Sequence, residues 1–183
     1  MRIVSGRFKG KRISAPKKLP VRPTTDFAKE ALFNILNNRF ELDEISVLDL
    51  FAGTGNISYE FASRGALKVC AVDGHYECVK FIQKTAHELE MPIRTVKSDV
   101  FKYLKNDPNQ YDIIFADPPY NFRLDQMEEL VKLSLENNLL NEDGVLIIEH
   151  TKHLDLSNLF AYRESRKYGG SVFSFFSEIT IEN

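Results

Sequence analysis

The sequence predicts an α/β protein built on a doubly wound, mostly parallel sheet. Short apolar runs alternate with amphipathic helical stretches over most of the chain, which is typical of strands joined by helical crossovers. Acidic residues follow several of these runs, as expected where parallel strands end at a ligand crevice. Two further apolar runs around Gly169-Gly170 depart from the alternation and predict an antiparallel C-terminal hairpin at the edge of the sheet.

The elements of this fold can be placed in order along the chain. Thr24, Thr25 and Asp26 are candidate N-caps for a helix over residues 27–38, whose apolar side chains share one face. The alternation continues with strand 46–50, helix 57–63, strand 67–72, helix 76–89, strand 93–97, helix 100–105, strand 113–116, helix 126–137 and strand 145–150. The hairpin comprises residues 160–168 and 172–181 on either side of the glycine pair.

The composition is that of an ordinary globular protein. The chain has 183 residues, of which 43% are hydrophobic and 27% charged, and this length suits one domain with a small extension. No run approaches the length of a membrane span, and residues 1–22 lack the apolar core of a signal peptide. Cys70 and Cys78 are the only cysteines, and neither they nor the four histidines show metal-ligand spacing. We therefore expect reduced thiols, no metal, no membrane contact, a cytoplasmic location and, by default, a monomer.

The formal net charge of −2 conceals an uneven distribution. Residues 1–22 contain eight basic side chains and no acid, whereas residues 23–183 carry a net charge of −10. The basic residues are Arg2, Arg7, Lys9, Lys11, Arg12, Lys17, Lys18 and Arg22. A basic arm (1–22) on an acidic body (23–183) can bind a polyanion, although a solvated tail is an equally open alternative. Phe8 and Ile13 in an alternating stretch, with Lys9-Gly10 as a turn, favour an ordered β-hairpin.

The tetrapeptide Asp117-Pro118-Pro119-Tyr120 follows the apolar run 111–116, which is predicted to be a buried strand. At the carboxyl end of a parallel strand, such a set can bind a flat group that carries nitrogen. The aspartate supplies acceptors, the tyrosine ring can stack, and the prolines fix the backbone carbonyls. On its own, a Pro-Pro pair at the end of a strand indicates only a loop.

A glycine loop lies in residues 49–56, between the first strand of the body and its helix. Gly53 and Gly55 allow a tight turn and a close approach of the backbone to a ligand at the helix N-terminus. The full G-x-G-x-x-G dinucleotide fingerprint is absent because residue 58 is serine. A lone G-x-G is more often a turn than a binding site.

Aspartates at other strand ends add weight to this loop. Asp73 follows Gly55 by eighteen residues, where an acidic side chain can bind ribose hydroxyls. Asp99 ends the next predicted strand. Any one of these residues could merely cap a turn, but with Asp49 and Asp117 four carboxylates are predicted at one edge of the sheet. This pattern predicts a ligand crevice there.

Together, these residues resemble the class I S-adenosylmethionine-dependent methyltransferases, which have a Rossmann-like fold. Residues 117–120 resemble their amino-methylating motif, (Asp/Asn/Ser)-Pro-Pro-(Tyr/Phe/Trp). More narrowly, residues 2–6, 9–11, 22–24 and 30–34 resemble the RsmD family, whose members methylate N2 of a guanine (guanine 966) in small-subunit 16S ribosomal RNA. The resemblance covers essentially the whole chain, although Lys29 stands where many relatives carry arginine.

The resemblance implies roles for the matching residues. Those that would bind S-adenosylmethionine are Asp49, Phe51, Gly53, Gly55, Asp73, Asp99 and Val100. Asp117 and the Pro118 carbonyl would accept hydrogen bonds from the target amine, and Tyr120 would stack on the base. Those that would bind 16S rRNA, within a 30S particle or a late assembly intermediate, are Arg2, Arg7, Lys9, Lys11, Arg12, Arg22 and Thr24.

Other functions remain open at this point. An N6-adenine DNA or RNA methyltransferase could use the same tetrapeptide, but the chain has no room for a large target-recognition domain. A protein-glutamine methyltransferase would more typically carry asparagine at position 117. A noncatalytic RNA-binding assembly factor on the same fold is disfavoured by the intact Asp117, Tyr120 and glycine loop. An NAD-dependent oxidoreductase is disfavoured by the missing third glycine.

Overall fold

The computed structural model describes residues 1–16, 19 and 25–178. Within them, helices and strands alternate from the first helix to the fifth strand. The elements are α1 (Asp26–Leu36), β1 (Ser46–Leu50), α2 (Asn56–Ser63), β2 (Lys68–Asp73), α3 (Tyr76–Glu88), β3 (Ile93–Lys97), α4 (Val100–Leu104), β4 (Tyr111–Ala116), α5 (Leu124–Glu136), β5 (Leu140–Thr151), β6 (Tyr162–Tyr168) and β7 (Ser171–Phe176).

The seven strands form one sheet in the order β3-β2-β1-β4-β5-β7-β6. The first five strands of this order are parallel, and β7 pairs antiparallel with both β5 and β6. After β1, the chain adds β2 and β3 on one side of it. The chain then crosses to the other side of β1, where β4 and β5 follow. The predicted doubly wound sheet with an antiparallel edge hairpin is therefore confirmed, and its topological switch point lies between β1 and β4.

Most element boundaries lie within two residues of the sequence predictions, but β7 ends at Phe176 although the prediction extended to residue 181. β5 begins at Leu140 rather than at residue 145, because Leu140 pairs with Tyr111 beyond a register shift. β6 begins at Tyr162 rather than at residue 160, because Ala161 has a φ of 59° and interrupts the extended chain. Of the N-cap candidates, Thr25 caps α1 by accepting the Ala28 N–H at 3.2 Å. Thr24 and residues 179–181 of the hairpin prediction lie outside the described residues.

The core consists of two layers, one on each face of the sheet. Successive strand residues point to opposite faces, so Val47 packs against the α1, α2 and α3 side and Leu48 against the α4 and α5 side. Both side chains are fully buried. No helix among the described residues is long and apolar enough to span a bilayer.

The first residues of the chain form an antiparallel pairing that packs into the first layer. Arg2 and Arg12 form a β-bridge, and the Ile3 N–H donates to the Lys11 carbonyl at 2.9 Å. Ile3 and Ile13 are both buried in the core. The turn is wider than Lys9-Gly10 alone, since the chain reverses over residues 5–10.

This arm lies directly against the end of α2. A Cβ atom on Gly6 would lie 1.9 Å from the Ser63 carbonyl oxygen, so only glycine fits at this contact. The Arg7 N–H donates to the same carbonyl at 2.7 Å, and the Phe8 N–H donates to the Ser63 hydroxyl at 3.0 Å. Backbone N–H groups of the arm thus hold it against the end of α2.

A buried ion pair between Lys29 and Glu60 lies beneath the arm, with an N–O distance of 3.1 Å and no exposure of either side chain. The Lys29 ammonium also donates to the Arg2 carbonyl at 2.6 Å and to Asn56 Oδ1 at 2.9 Å. One lysine therefore connects the arm, α1 and the start of α2.

The Glu60 carboxylate is satisfied on both oxygens. It accepts the Val4 and Ser5 N–H groups at 2.9 and 3.0 Å, and the Arg64 guanidinium at 2.9 Å. With Lys29, these groups supply four donors, and a buried carboxylate is stable only while such donors remain in place. The arm backbone therefore supplies two of the four donors that stabilise the buried Glu60 carboxylate.

We expect Lys29→Met to lower the free energy of unfolding by about 3–5 kcal/mol, because removing one partner leaves the Glu60 charge buried and undercompensated. Lys84→Met is the matched control, since Lys84 is 75% exposed and pairs with Glu88 at 3.7 Å on the surface of α3. That substitution should cost about 0–1 kcal/mol. Urea unfolding at pH 7 measures both values, and equal destabilisation by the two substitutions would contradict the importance of the buried pair.

Candidate functional site

A cavity of about 510 Å³ opens at the carboxyl ends of β1, β2, β3 and β4. Its position across the β1–β4 switch point is where open α/β sheets bind ligands, and its volume lies within the range of small-molecule sites. The lining residues come from several loops and helix starts. They are Asp49, Phe51, Ala52, Gly53, Thr54, Asn56, Ile57, Asp73, Gly74, His75, Cys78, Asp99, Val100, Phe115, Asp117, Pro118, Pro119 and Tyr120.

The β1–α2 loop forms one wall of the cavity through a run of left-handed backbone conformations. Phe51, Gly53 and Gly55 have φ values of 57°, 55° and 82°. Positive φ is uncommon for a residue such as phenylalanine and is characteristic of functional loops. Gly55 is the N-cap of α2 and does not line the cavity itself, but a Cβ atom there would lie 2.9 Å from Ile82 Cγ1.

Asp73, the last residue of β2, is fixed by two backbone donors. Its Oδ2 accepts the Gly53 N–H at 2.8 Å, and its Oδ1 accepts the His75 N–H at 2.7 Å. Each carboxylate oxygen has two lone pairs, so each can still accept a hydrogen bond from a ligand. The β1–α2 loop and the end of β2 are thereby held together.

Asp99 is the N-cap of α4, and its Oδ1 accepts the Lys102 N–H at 2.9 Å. Capping is the structural role that such an aspartate can fill without any ligand. Asp99 and Val100, the first residue of the helix, both line the cavity wall. The N–H groups of a first helical turn have no partner within the helix, so this end of α4 can donate to a ligand.

Asp49 lies in β1 and is only 2% exposed. The Ser58 hydroxyl donates to its Oδ2. Burial raises the pKa of the Asp49 carboxyl to about 7 because it outweighs this hydrogen bond, and the nearby Asp73 charge adds to the rise. Ser58, which replaces the third glycine of the G-x-G-x-x-G pattern, therefore donates a hydrogen bond to a buried acid.

Asp117 follows β4, and its N–H continues the pairing with β1 through the Leu50 carbonyl at 3.4 Å. Burial raises the pKa of the Asp117 carboxyl well above its usual range, and the charges of Glu149 and Asp49 raise it further. Burial and these neighbouring charges therefore favour the protonated form of the Asp117 carboxyl.

The Asp117-Pro118-Pro119-Tyr120 loop is tied to the glycine loop by aromatic packing that no sequence motif indicates. The Phe122 N–H donates to the Pro119 carbonyl at 2.9 Å and closes a turn. The Phe122 ring lies edge-on to Phe51 at 5.3 Å and parallel to Phe101 at 6.0 Å. Tyr120 points outward and is 63% exposed at the mouth of the cavity.

The cavity is acidic. Four aspartates line it, and no lysine or arginine does so among the described residues. Over residues 1–16, 19 and 25–178, no group of three or more side chains is arranged to hold a metal ion. Like charges gathered in this way are complementary to a cationic ligand, which would favour their ionised forms.

The structure brings together most of the site residues predicted from the sequence. All three predicted catalytic residues line the cavity, as do all seven predicted cofactor residues except Gly55. Asn56, His75 and Cys78 also line it, although the sequence analysis did not single them out. Asn56 could have been suspected from its position at the start of a helix behind a glycine loop.

The predicted RNA-binding residues have different environments. Arg7, Lys9, Lys11 and Arg12 are exposed. Arg2 lies 3.3 Å from Asp26 and 3.8 Å from Glu30, so its charge is partly neutralised within the protein. Arg22 and Thr24 lie outside the described residues.

The arm borders the mouth of the cavity. Lys11 and Arg12 line a second cavity of about 850 Å³ together with α3, and His75 contributes to both cavities. Met1 Sδ lies 3.9 Å from the hydroxyl of Thr54, which lines the first cavity. A polyanion on the arm would therefore lie next to the acidic site.

Comparison with known proteins agrees with this architecture. The family model described as Conserved hypothetical protein 95 matches residues 1–177. Ribosomal RNA small subunit methyltransferase D of Buchnera aphidicola subsp. Baizongia pistaciae is 30% identical over 156 residues, covering 85% of this chain and 78% of its own.

Solved structures share the fold. A hypothetical protein of Thermus thermophilus, TTHA0928, has a TM-score of 0.83 and 26% identity over 97% of this chain and 99% of its own. The T. thermophilus 16S rRNA N2 G1207 methyltransferase (RsmC), in complex with AdoMet and guanosine, has a TM-score of 0.71 and 24% identity over 88% of this chain and 45% of its own. With a family model that spans nearly its whole length, the chain belongs to the RsmD family and has the Rossmann-like fold of class I methyltransferases.

Proposed function

We propose that this protein is an S-adenosylmethionine-dependent methyltransferase that methylates the exocyclic N2 amine of a guanine, guanine 966 in the family's usual numbering, in small-subunit 16S ribosomal RNA. The observation that carries the proposal is that the Asp117-Pro118 acceptors and the aspartates of β1, β2 and the α4 N-cap surround one cavity. A methyl donor and an amine can meet there, each bound by a different set of residues.

The acidic side of the cavity is complementary to S-adenosylmethionine, whose sulfonium and amino groups are positive and whose sulfonium supplies the methyl group. In this proposal Asp49 binds the amino group, Asp73 binds the ribose hydroxyls, and Asp99 with the Val100 N–H binds the adenine edge. The remaining lone pairs on Asp73 and the fixed position of its carboxylate support this assignment. Phe51 and Gly53 shape the backbone around the methionine portion.

The opposite side of the cavity binds the target base. The Asp117 carboxylate and the Pro118 carbonyl accept the two hydrogens of the amine, and the exposed Tyr120 ring stacks on the base. The amine of guanine is a poor nucleophile because its lone pair is delocalised into the ring. Two acceptors draw the nitrogen toward tetrahedral geometry and direct its lone pair into the cavity.

Positioning supplies most of the rate acceleration in this scheme. Well-oriented intramolecular reactions reach effective molarities of roughly 10⁵–10⁸ M, and the Asp117 loop is held rigid by the packing of Phe122 on Phe51 and Phe101. The positive charge that develops on the nitrogen faces the Asp117 carboxylate, which stabilises it. Methyl transfer is then a direct in-line displacement.

The arm binds the RNA. Exposed Arg7, Lys9, Lys11 and Arg12 can contact phosphates, and the position of Lys11 and Arg12 beside the cavity suits a base that is unpaired or extruded from a helix. In this proposal residues 1–22 are the RNA-contacting arm and residues 23–183 the catalytic domain, although contacts at Ile3 and Ile13 make the two one packed unit.

Relatives support ribosomal RNA as the substrate. The Buchnera relative carries the name of a small-subunit ribosomal RNA methyltransferase, and a protein of the same fold is described as an N2 guanine methyltransferase of 16S rRNA. We further propose a cytoplasmic monomer that acts on a 30S particle or a late assembly intermediate.

The direct test uses labelled S-adenosylmethionine and 30S subunits from cells that lack the homologous enzyme, followed by mapping of the modified nucleotide. We expect label on N2 of a single guanine.

Asp117→Ala should reduce the rate at least ~10²-fold, a loss typical of removing one electrostatic partner of the transition state, with little change in donor affinity. Asp73→Ala should weaken donor binding instead. Label on an adenine N6 would assign the alternative reaction, and near-normal turnover of Asp117→Ala would contradict the role of the motif.

Donor affinity should depend on pH. Because the Asp49 carboxyl has a pKa of about 7 in the free protein, a cation that requires the ionised form must displace a proton at lower pH. The dissociation constant for S-adenosylmethionine should therefore rise as pH falls below 7, by up to about tenfold per pH unit. Calorimetric titration at pH 6, 7 and 8 measures this dependence. Asp49→Asn should flatten it, and an unchanged slope in that variant would show that Asp49 does not bind the charged group.

Charge substitutions in the arm should weaken RNA binding without altering donor affinity. Lys9→Gln, Lys11→Gln and Arg12→Gln each remove one exposed charge, and removing one phosphate interaction should reduce the slope of log K against log salt by about 0.7–0.9. Lys132→Gln on α5 is the control, because Lys132 is exposed, lies in the opposite layer and pairs only loosely with Glu136 at 3.9 Å.

Deleting the whole arm is a poorer test, since it would remove Ile3 and Ile13 from the core. The point substitutions leave both isoleucines in place, so a change in RNA affinity can be assigned to charge. Salt slopes equal to wild type in all three arm variants would contradict the assignment.

A further inference from the structure

The arm and α3 form a groove that has no part in binding the donor or the amine. This arm–α3 groove is the second cavity of about 850 Å³, with Lys11 and Arg12 of the arm on one wall and α3 on the other. It adjoins the first cavity, because His75 lines both. A ligand in the groove would therefore lie beside the proposed site of methyl transfer.

The charge of the groove is opposite to that of the first cavity. Among the described residues, four cations and two acids line the groove, whereas four aspartates and no lysine or arginine line the first cavity. The cations are Lys11, Arg12, Lys80 and Lys84, and the acids are Glu77 and Glu88. A cleft lined mainly by one sign of charge concentrates ligands of the opposite sign. The two neighbouring cavities thus suit different ligands, a cationic donor in one and a polyanion in the other.

Three exposed side chains form a stripe along α3. Tyr76, Lys80 and Lys84 are spaced four residues apart, so they share one face of the helix and extend over about 12 Å of its axis. The Lys80 ammonium lies 6.0 Å from the centre of the Tyr76 ring, which aligns the two side chains. Proteins that bind unpaired nucleic acid combine cations that follow the backbone with aromatic rings on which bases stack. The stripe has both components.

The stripe also has an orientation relative to the first cavity. Tyr76 follows His75, and Cys78 in the first turn of α3 lines the first cavity as well. The start of α3 therefore lies at the cavity, and Lys84 lies further along the groove. A strand that follows the groove past Lys84 and Lys80 toward Tyr76 arrives at the cavity mouth.

The distribution of the cations favours a chain of phosphates over a single small anion. Lys80 and Lys84 are about 6 Å apart along the helix axis, and Lys11 and Arg12 belong to the other wall. Cations spread in this way can each neutralise a different phosphate. The Lys84–Glu88 pair does not prevent this, because it is exposed and its N–O distance is 3.7 Å, so the interaction is weak.

We propose that the arm–α3 groove binds the unpaired RNA strand next to the target nucleotide, with Lys80 and Lys84 contacting phosphates and Tyr76 stacking on a neighbouring base. This inference rests on the proposed function, because it takes RNA as the substrate. It extends the RNA-binding surface from the arm into the catalytic domain and defines the side from which the strand enters the cavity.

The first test measures the dissociation constant for 30S subunits from cells that lack the homologous enzyme, by co-sedimentation at several salt concentrations. Lys80→Gln and Lys84→Gln should each reduce the slope of log K against log salt by about 0.7, the value for one phosphate contact of a single strand. Lys132→Gln is the matched control for Lys84→Gln, since both lysines are exposed helix residues in loose i,i+4 pairs, at 3.9 and 3.7 Å. Its slope should equal that of the wild type.

An acid in the groove should have the opposite effect. Glu77→Gln removes a charge that repels phosphates, so we expect it to tighten binding by up to about fivefold. Glu128→Gln on α5 is the control, because Glu128 is also an exposed helix residue and does not line the groove. Calorimetric titration with S-adenosylmethionine checks that each variant retains an intact first cavity.

The second test locates the strand. Tyr76→p-benzoylphenylalanine, irradiated in complex with the same subunits, should crosslink to nucleotides within a few positions of the methylated one. Leu67→p-benzoylphenylalanine is the matched control, because Leu67 is 60% exposed against 57% for Tyr76 and precedes β2 at the opposite edge of the sheet. Tyr76→Ala should also raise the dissociation constant by about 5- to 150-fold, the range for losing one stacked base, whereas Leu67→Ala should not.

The outcomes separate the inference from the function on which it rests. Wild-type salt slopes in both lysine variants, or Tyr76 crosslinks no closer to the methylated nucleotide than those of Leu67, overturn the inference even if N2 of a guanine is methylated. Reduced slopes and neighbouring crosslinks support it, and they do so even if the label lies on another RNA amine, which would overturn the proposed function alone. A protein that binds no ribosomal RNA overturns both.

Discussion

The parallel pairing of β1 with both β2 and β4 is the constraint on which the site depends. Because the strands run in the same direction, their carboxyl ends meet at one edge, and the alternation of side chains directs Asp49, Asp73, Asp117 and Glu149 to one face there. A shift of one residue in the register of a strand would place its acidic side chain on the opposite face of the sheet, in the other core layer. The acidity of the site is therefore a property of the sheet.

A second constraint connects the arm to this edge. The buried Lys29–Glu60 pair contacts the arm backbone at Arg2 and the cavity wall at Asn56, so the arm and the segments that line the cavity share one buried network. Lysine at this position provides three donors, which are used for three different acceptors. Because the three acceptors belong to different residues, a single ammonium can serve all of them and the bidentate fork of an arginine is not required.

The fold was largely predictable because it follows from local periodicity and strand-end residues. The four aspartates and the glycine loop were identified from the sequence for the same reason, since parallel strands collect their ends at one place. Features that depend on distant contacts were not predictable. The positive φ of Phe51, the packing of Phe122 between two loops, and the burial of Lys29 each require knowledge of which segments touch.

The central claim is that the cavity has a donor side at Asp49, Asp73 and Asp99 and an amine side at Asp117. A crystal structure with S-adenosylhomocysteine bound tests it most directly. We predict hydrogen bonds from the ligand amino group to Asp49 and from the ribose hydroxyls to Asp73, with the sulfur facing the Asp117-Pro118 acceptors across a space that can hold an amine. A ligand whose adenosine contacts Asp117, or one bound outside the cavity, would contradict the account.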